Sequence, residues 1–202
     1  MVSPPFLLRL AYPGVTWHQS RKEKVLYLTF DDGPIPEVTP KVLALLEQYN
    51  AKATFFCIGD NVKKHPDVYA SLLVHGHATG NHTFHHYNSW NVSAKYFLKD
   101  VEDAKQLIAS NLFRPPYGKL TPATLFHLHR NYKIIMWDVI SCDFDVTVSK
   151  ETVYNNVITH AREGSIIVFH DSLKASENML YALPKVLQYF SERGFKFEKL
   201  GE

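Results

Sequence analysis

Val25-Leu26-Tyr27-Leu28-Thr29-Phe30-Asp31-Asp32-Gly33-Pro34 is the stretch on which the fold turns. Its first six residues are apolar, aromatic or β-branched, a run that predicts a buried strand. The run stops at two adjacent carboxylates and the turn pair Gly33-Pro34. Acids placed where a buried strand emerges into a loop cost stability, and in α/β folds chemistry collects at that place. The plain alternative is a solvated Asp-Gly turn, and the rest of the chain has to decide between the two.

Outward from this strand, helical and strand patterns alternate. Thr39 reads as an N-cap and Pro40 as a first helical residue, followed by an apolar face of Val42, Leu45, Leu46 and Tyr49. Further strands are predicted at Ala53–Ile58, weakly at His77–Thr79, at Leu112–Arg114, Lys133–Val139, Ser165–Phe169 and Phe195–Leu200. Helices are predicted over Pro66–Val74, after Ser93, after Thr121-Pro122, after Ser149, and around Pro184, where the last one is interrupted or restarts. Residues 1–24, with three prolines and no sustained period, read as a strap. The alternation predicts an α/β fold with a parallel sheet covered by helices. No Gly-x-Gly-x-x-Gly follows a strand, so a small or irregular β/α barrel of about seven parallel strands fits better than a nucleotide-binding doubly wound sheet. With no repeat and no low-complexity linker, one domain over residues 1–202 is expected.

Composition narrows the function. The chain has 202 residues, 46% hydrophobic and 21% charged, with a net charge of +2, too small to argue for nucleic acid or an anionic membrane. Two cysteines, Cys57 and Cys142, are too few for a disulfide framework and lack metal spacing. Phe6-Leu7-Leu8 is too short for a signal-peptide core and far too short for a membrane span. A cytoplasmic location is the default expectation, with the cell envelope left open. Six of the 11 histidines fall between His65 and His86, and histidine is the commonest metal ligand and proton shuttle.

The predicted strand ends carry titratable groups: Asp31-Asp32, the histidine-rich turn after Gly80, Arg114, Asp143 and His170. In a barrel those ends share one face. His82 and His86 are four apart, which on a helical turn would set both imidazoles on one side of a metal ion, and His85 competes as a ligand. A carboxylate from another strand end would complete a two-histidine, one-carboxylate set. Taken alone, His170 reads as a core histidine, and Arg114 as a sheet-edge cap or the partner of a buried carboxylate. Trp137, Phe144 and Phe169 read most simply as core.

These motifs, in this order, make the chain resemble the polysaccharide deacetylases related to the rhizobial Nod-factor deacetylase, carbohydrate esterase family four. The resemblance covers roughly Val25 to Asp171. Thr29-Phe30-Asp31-Asp32-Gly33-Pro34, His82-Thr83-Phe84-His85-His86 and Arg114-Pro115-Pro116-Tyr117-Gly118 match three motifs of that family, and Ile167-Val168-Phe169-His170 matches a fourth, Leu-x-x-His. The resemblance implies a distorted, incomplete β/α barrel. It implies Asp31 as catalytic base, Asp32, His82 and His86 as metal ligands with His85 left out, Arg114 as the group holding the base, and the Tyr117 backbone N–H at the oxyanion. It further implies His170 as general acid with Asp143 as its partner, and Ile167 in the acetyl-methyl pocket, with Trp137 and Phe144 expected beside it in the substrate groove. One departure stands out: where the family commonly has Asp-x-x-Asp-Trp, this chain has Ile140-Ser141-Cys142-Asp143-Phe144, so the groove differs while the acid–base set is kept.

The activity so implied is hydrolysis of acetyl groups on N-acetylated, or O-acetylated, sugars of an oligosaccharide or polysaccharide, with one divalent metal ion as cofactor, zinc before cobalt, manganese, nickel or iron. Two competing readings are a metal-dependent phosphohydrolase, for which a two-histidine ligand pair is not required, and an inactive carbohydrate-binding relative.

Overall fold

The computed structural model describes residues 2–201. Along the chain run α1 (Phe6–Ala11), β1 (Val25–Asp31), α2 (Thr39–Gln48), β2 (Ala53–Cys57), α3 (Gly59–Lys64), α4 (Pro66–Val74), β3 (Ala78–Asn81), α5 (Ala94–Lys105) and β4 (Leu112–Phe113). A 3₁₀ turn (Pro116–Gly118) follows, then α6 (Pro122–Leu128), β5 (Lys133–Ile134), β6 (Val139–Ile140), α7 (Lys150–His160), β7 (Ile166–His170), α8 (Ser176–Ser191) and β8 (Lys196–Phe197).

The strands form one sheet in the order β5-β4-β3-β2-β1-β7-β6, with β8 added beside the start of β1. Every ladder between them is parallel. A parallel sheet hides both faces. Leu26, Leu28 and Phe30 alternate along β1 toward the helices, where they join Phe55, Ile167 and Phe169 of the neighbouring strands and Val42, Leu46, Leu183, Val186 and Leu187 of α2 and α8. By the period of two, Tyr27, Thr29 and Asp31 face the opposite way, into the curl of the sheet. Phe56, Leu112, Ile135, Ile166 and Leu200 pack together as a second apolar cluster in that interior.

The run Lys133–Val139, expected as one strand, is split. Its first part pairs with β4 and its last part with β7, at opposite edges of the sheet. Between them Ile135 N–H donates to Phe113 and Asp138 N–H to Ile166 (2.8 and 2.9 Å), so this one run changes neighbours and draws the two edges together. The strap lies along the seam. Thr16 bridges Ile135, and Gln19 N–H donates to the Gly164 carbonyl (2.8 Å). Buried Asp138 fastens it, taking bonds from Arg9 and Arg21 (2.8 Å each) and from the Ser165 hydroxyl. The barrel is therefore distorted and incomplete, because no single strand is paired along its length on both sides of the seam.

Other differences from the sequence reading are local. The strap includes a short helix, α1, none of whose residues is buried. A helix that the sequence reading does not include, α3, begins at Gly59. α8 continues through Pro184. Ser93, Thr121 and Ser149 cap helices as expected. Thr39 does not: it lies inside α2, and its hydroxyl is bonded to Asp171 instead of the helix end. No helix among the described residues is long and apolar enough to cross a membrane.

Candidate active site

The sheet register brings the two proton-handling candidates side by side. Asp31 and His170 are paired positions at the ends of β1 and β7, so both side chains leave the sheet on its inner face. Asp31 is buried, and the fully buried Arg114 donates to its Oδ1 at 2.7 Å. The same guanidinium donates to Thr29 Oγ1 (2.7 Å), Met136 O (2.9 Å) and Ile135 O (3.3 Å), and stacks over Phe56 at 4.2 Å. This fixes Arg114 with its donors directed and its charge paired, as burial requires. Burial alone pushes the Asp31 carboxyl up, but Arg114, with His82 and His170 beside it, outweighs burial and holds it below its ordinary value.

On the next loops Asp32, His82 and His86 present one ligand atom each, all within 4.8 Å of one another. Nε2 of His82 lies 3.8 Å and Nε2 of His86 3.4 Å from Asp32 Oδ1. That oxygen is buried and has no hydrogen-bond partner, whereas buried carboxylate oxygens are normally paired. His82 Nδ1 is engaged by the Arg114 carbonyl at 2.7 Å, which leaves Nε2 as its free ring nitrogen. Burial and the adjacent His82 imidazole push His86 down to about 4, keeping it neutral with a lone pair available. One carboxylate and two imidazoles with an orphaned oxygen between them suit a divalent transition metal.

The two histidines do not converge by a helical turn. Residues 82–86 form a loop in which Thr83 and His86 have positive φ (64° and 59°), held by Thr83 Oγ1 accepting the His86 N–H at 2.9 Å. His85 is turned away from the site. Its Nδ1 bonds Asp100 on α5 at 2.6 Å, and the same carboxylate accepts the N–H groups of Phe84 and His85. The choice between His85 and His86 is thus made by the loop's backbone.

His170 Nδ1 meets Asp143 Oδ1 at 2.8 Å, and the His170 N–H donates to Asp143 Oδ2 at 2.7 Å. Burial lowers this imidazole, but Asp143, its hydrogen bond and the nearby Asp32 and Asp31 together raise it to about 9. Phe144 is partly exposed and stands edge-on to the His170 ring at 5.1 Å, at the rim. Tyr117 is exposed, with a left-handed backbone (φ 60°), and its ring lies 4.7 Å from that of His86. Trp137 sits under the turn: a Cβ on Gly118 would collide with its indole, so only glycine lets the turn settle there.

Ile167 departs from its expected pocket role. It is fully buried in the core between sheet and helices with Leu28 and Val139. Strand alternation puts Val168, paired with Thr29, on the same face as His170, while Ile167 points the other way. Val168, not Ile167, is the residue of this strand that shares the inner face with His170.

Several residues here carried no role in the sequence reading. Thr29, whose hydroxyl bonds both Arg114 and the Ile167 carbonyl, opens the first motif but was given no role of its own. Asn61 anchors the Asp32 carbonyl (2.7 Å). Asp100 braces the histidine loop, and Asp171 the loop of Asp31 and Asp32. Asp171 had one visible signal, a second acid directly after His170 at a strand end.

A curled parallel sheet that sets a carboxylate and an imidazole, Asp31 and His170, beside a two-histidine, one-carboxylate set at the ends of its strands fits the class of metal-dependent hydrolases. The chain belongs to the polysaccharide deacetylase family: the family's sequence profile, described as polysaccharide deacetylase, matches residues 18–133. It is similar to a peptidoglycan-N-acetylglucosamine deacetylase of Bacillus cereus, 34% identical over 195 residues that cover 93% of this chain and 92% of the relative. It is also similar to a chitooligosaccharide deacetylase of Azorhizobium caulinodans, 30% identical over 90% of this chain and 95% of that protein. A crystal structure of a peptidoglycan N-acetylglucosamine deacetylase superposes with a TM-score of 0.86 at 32% identity, covering 98% of this chain and 95% of the other. PdaA of Bacillus subtilis, a family 4 carbohydrate esterase, superposes with a TM-score of 0.80 at 28% identity, covering 96% of this chain and 85% of the other.

Proposed function

We propose that this chain removes acetyl groups from N-acetylated glucosamine units of a glycan chain, with Asp31 as base, His170 as acid and Asp32, His82 and His86 as metal ligands. The observation that carries this reading is the pairing of Asp31 with His170 across β1 and β7, beside the unpartnered Asp32 oxygen. The relatives named for peptidoglycan N-acetylglucosamine and for chitooligosaccharide point to the sugar.

An amide is a poor electrophile and an amine a poor leaving group, so help is needed at both ends. A divalent ion held by the three ligands, zinc before cobalt, manganese, nickel or iron, supplies Lewis acidity and lowers the pKa of water within its reach. Asp31, kept ionised by Arg114, takes a proton from the water that attacks the acetyl carbonyl carbon. Negative charge then grows on the carbonyl oxygen, and the Tyr117 N–H, on a turn stiffened by Trp137 behind Gly118, is offered to it. His170, held by Asp143 and protonated at neutral pH, gives a proton to the nitrogen as the C–N bond breaks, and acetate and a free amine leave. Val168 walls the space for the acetyl methyl, and Phe144 and Tyr117 lie at the rim where the sugar enters.

The test is acetate release from a panel of peptidoglycan fragments, chitooligosaccharides and O-acetylated sugars, with bound metal measured alongside. Chelation is expected to abolish release, and zinc or cobalt to restore it. Full activity after verified metal removal, or phosphate release from esters without acetate release from any sugar, overturns the reading.

A further inference from the structure

We propose that Asp171 is a positioning residue for the metal loop, its carboxylate setting where Asp32 points by holding the Asp32-Gly33 peptide. Asp171 follows His170 at the end of β7, is fully buried, and has no part in the chemistry above. Its Oδ1 accepts the Gly33 N–H at 3.0 Å, its Oδ2 accepts the Thr39 hydroxyl, and its own N–H donates to the Asp31 carbonyl at 3.0 Å. The Thr39 hydroxyl in turn accepts the Ile35 N–H at 2.8 Å. The side chain therefore ties the Asp32-Gly33 peptide to Thr39 beyond the turn, while the backbone N–H of the same residue holds the Asp31 carbonyl before it.

The turn needs such a hold. Asp32 has a φ of 80°, in the left-handed region that is unfavourable for a residue with a Cβ. Only surrounding bonds keep it there. Asn61 Nδ2 donates to the Asp32 carbonyl, the Ile58 N–H donates to the Gly33 carbonyl, and Asp171 takes the Gly33 N–H. The Asp171 carboxylate fills the space a side chain at position 33 would occupy, since a Cβ on Gly33 would collide with it. A buried carboxylate is costly, and Asp171 makes no ion pair among the described residues. An apolar residue would fill the site at less cost but could not take two donors from fixed directions. With the clamp gone, the turn relaxes toward right-handed backbone. The unpartnered Asp32 oxygen then swings away from His82 and His86, and the first consequence is weaker metal binding.

This rests on the metal site proposed above, and the experiment separates the two. Zinc affinity is measured by competition with a chelating dye on metal-free wild type, Asp171→Ala, Asp171→Asn and Thr39→Val, alongside the thermal stability of each metal-free protein. Outer-sphere partners of metal ligands typically govern about 10–100-fold in affinity, and Asp171→Ala is expected to weaken zinc in that range. Asp171→Asn keeps an acceptor for the Gly33 N–H and can turn its amide to Thr39 Oγ1, so it stays near wild type. Thr39→Val leaves Asp171 with Gly33 alone and weakens zinc by a smaller factor. If all variants melt earlier yet the folded proteins bind zinc as the wild type does, Asp171 is structural only and the proposal fails. Should Asp171→Ala not fold, unchanged zinc affinity in Thr39→Val overturns it equally. Wild type that binds no zinc at all overturns the metal reading itself.

Discussion

Replacing Arg114 by methionine keeps the length of the side chain and removes its charge and every donor. Four directed bonds are lost, to Asp31, Thr29, Ile135 and Met136, and the Asp31 carboxylate is left in a buried site without its counter-charge. Breaking one partner out of a buried pair costs about 3–5 kcal/mol, a large part of the roughly 5–15 kcal/mol that holds a domain folded. The cost depends on pH in a defined direction. In the wild type Asp31 titrates below its ordinary value, so its contribution is present above the unfolded value of about 3.9 and is lost as pH falls through the lower folded value. Without Arg114, burial is left as the largest influence and pushes the carboxyl up. Asp31 then costs stability progressively as pH rises above the unfolded value. Urea unfolding from pH 4 to pH 7 should therefore show a gap between wild type and Arg114→Met that widens toward neutral pH. Adding Asp31→Leu to Arg114→Met should recover part of the loss, because no uncompensated charge remains. The acidic limb of the deacetylation rate should move to higher pH in Arg114→Met. A gap under about 1 kcal/mol at neutral pH, or one that does not change with pH, would refute the assignment of Arg114 as the group that keeps Asp31 ionised.

His170 is raised to about 9, so its contribution to stability is full below the unfolded value of about 6.5 and disappears as pH rises through about 9. The alkaline limb of kcat/KM should fall in the same range. Asp143→Asn should move that limb to lower pH, and His170→Ala should lower kcat by about 10²–10⁴-fold; an alkaline limb unmoved in Asp143→Asn would remove His170 as the acid. Ile167→Ala, which opens the core between sheet and helices, should cost about 2–5 kcal/mol in a denaturant melt and leave the KM for acetylated sugar nearly unchanged. Val168→Ala should do the reverse, altering KM or kcat more than stability, and the opposite outcome in kinetics would show the strand alternation to be misassigned.

Most of the architecture, and which residues gather at the candidate site, were legible in the sequence. Apolar β-branched runs ending in acids or histidine mark strands that emerge at a site, and Ser93, Thr121 and Ser149 announce helix starts, because such signals are local: they reflect dihedral preference and alternation within a few residues. What lay beyond that reach was contact between distant segments. Lys133–Val139 looks like one strand because its composition is uniform, yet its two ends serve opposite edges of the sheet. Spacing makes His85 and His86 near equivalents, and two left-handed residues in the loop aim one at the ligand site and the other at Asp100. A motif places Ile167 three residues before His170, but a period of two puts Val168 on the working face.

Asp31 and Asp32 are the clearest case. Their position at the end of Val25–Phe30 announces a site from sequence alone, since two acids after a buried strand have no cheaper explanation once the other strand ends carry matching groups. Their division of labour belongs to the folded molecule. One carboxylate faces Arg114 and the other the imidazoles because Asp32 is held in left-handed backbone by Asn61, Ile58 and Asp171. None of those three is a neighbour in the chain, and only the register and curl of the sheet bring them there.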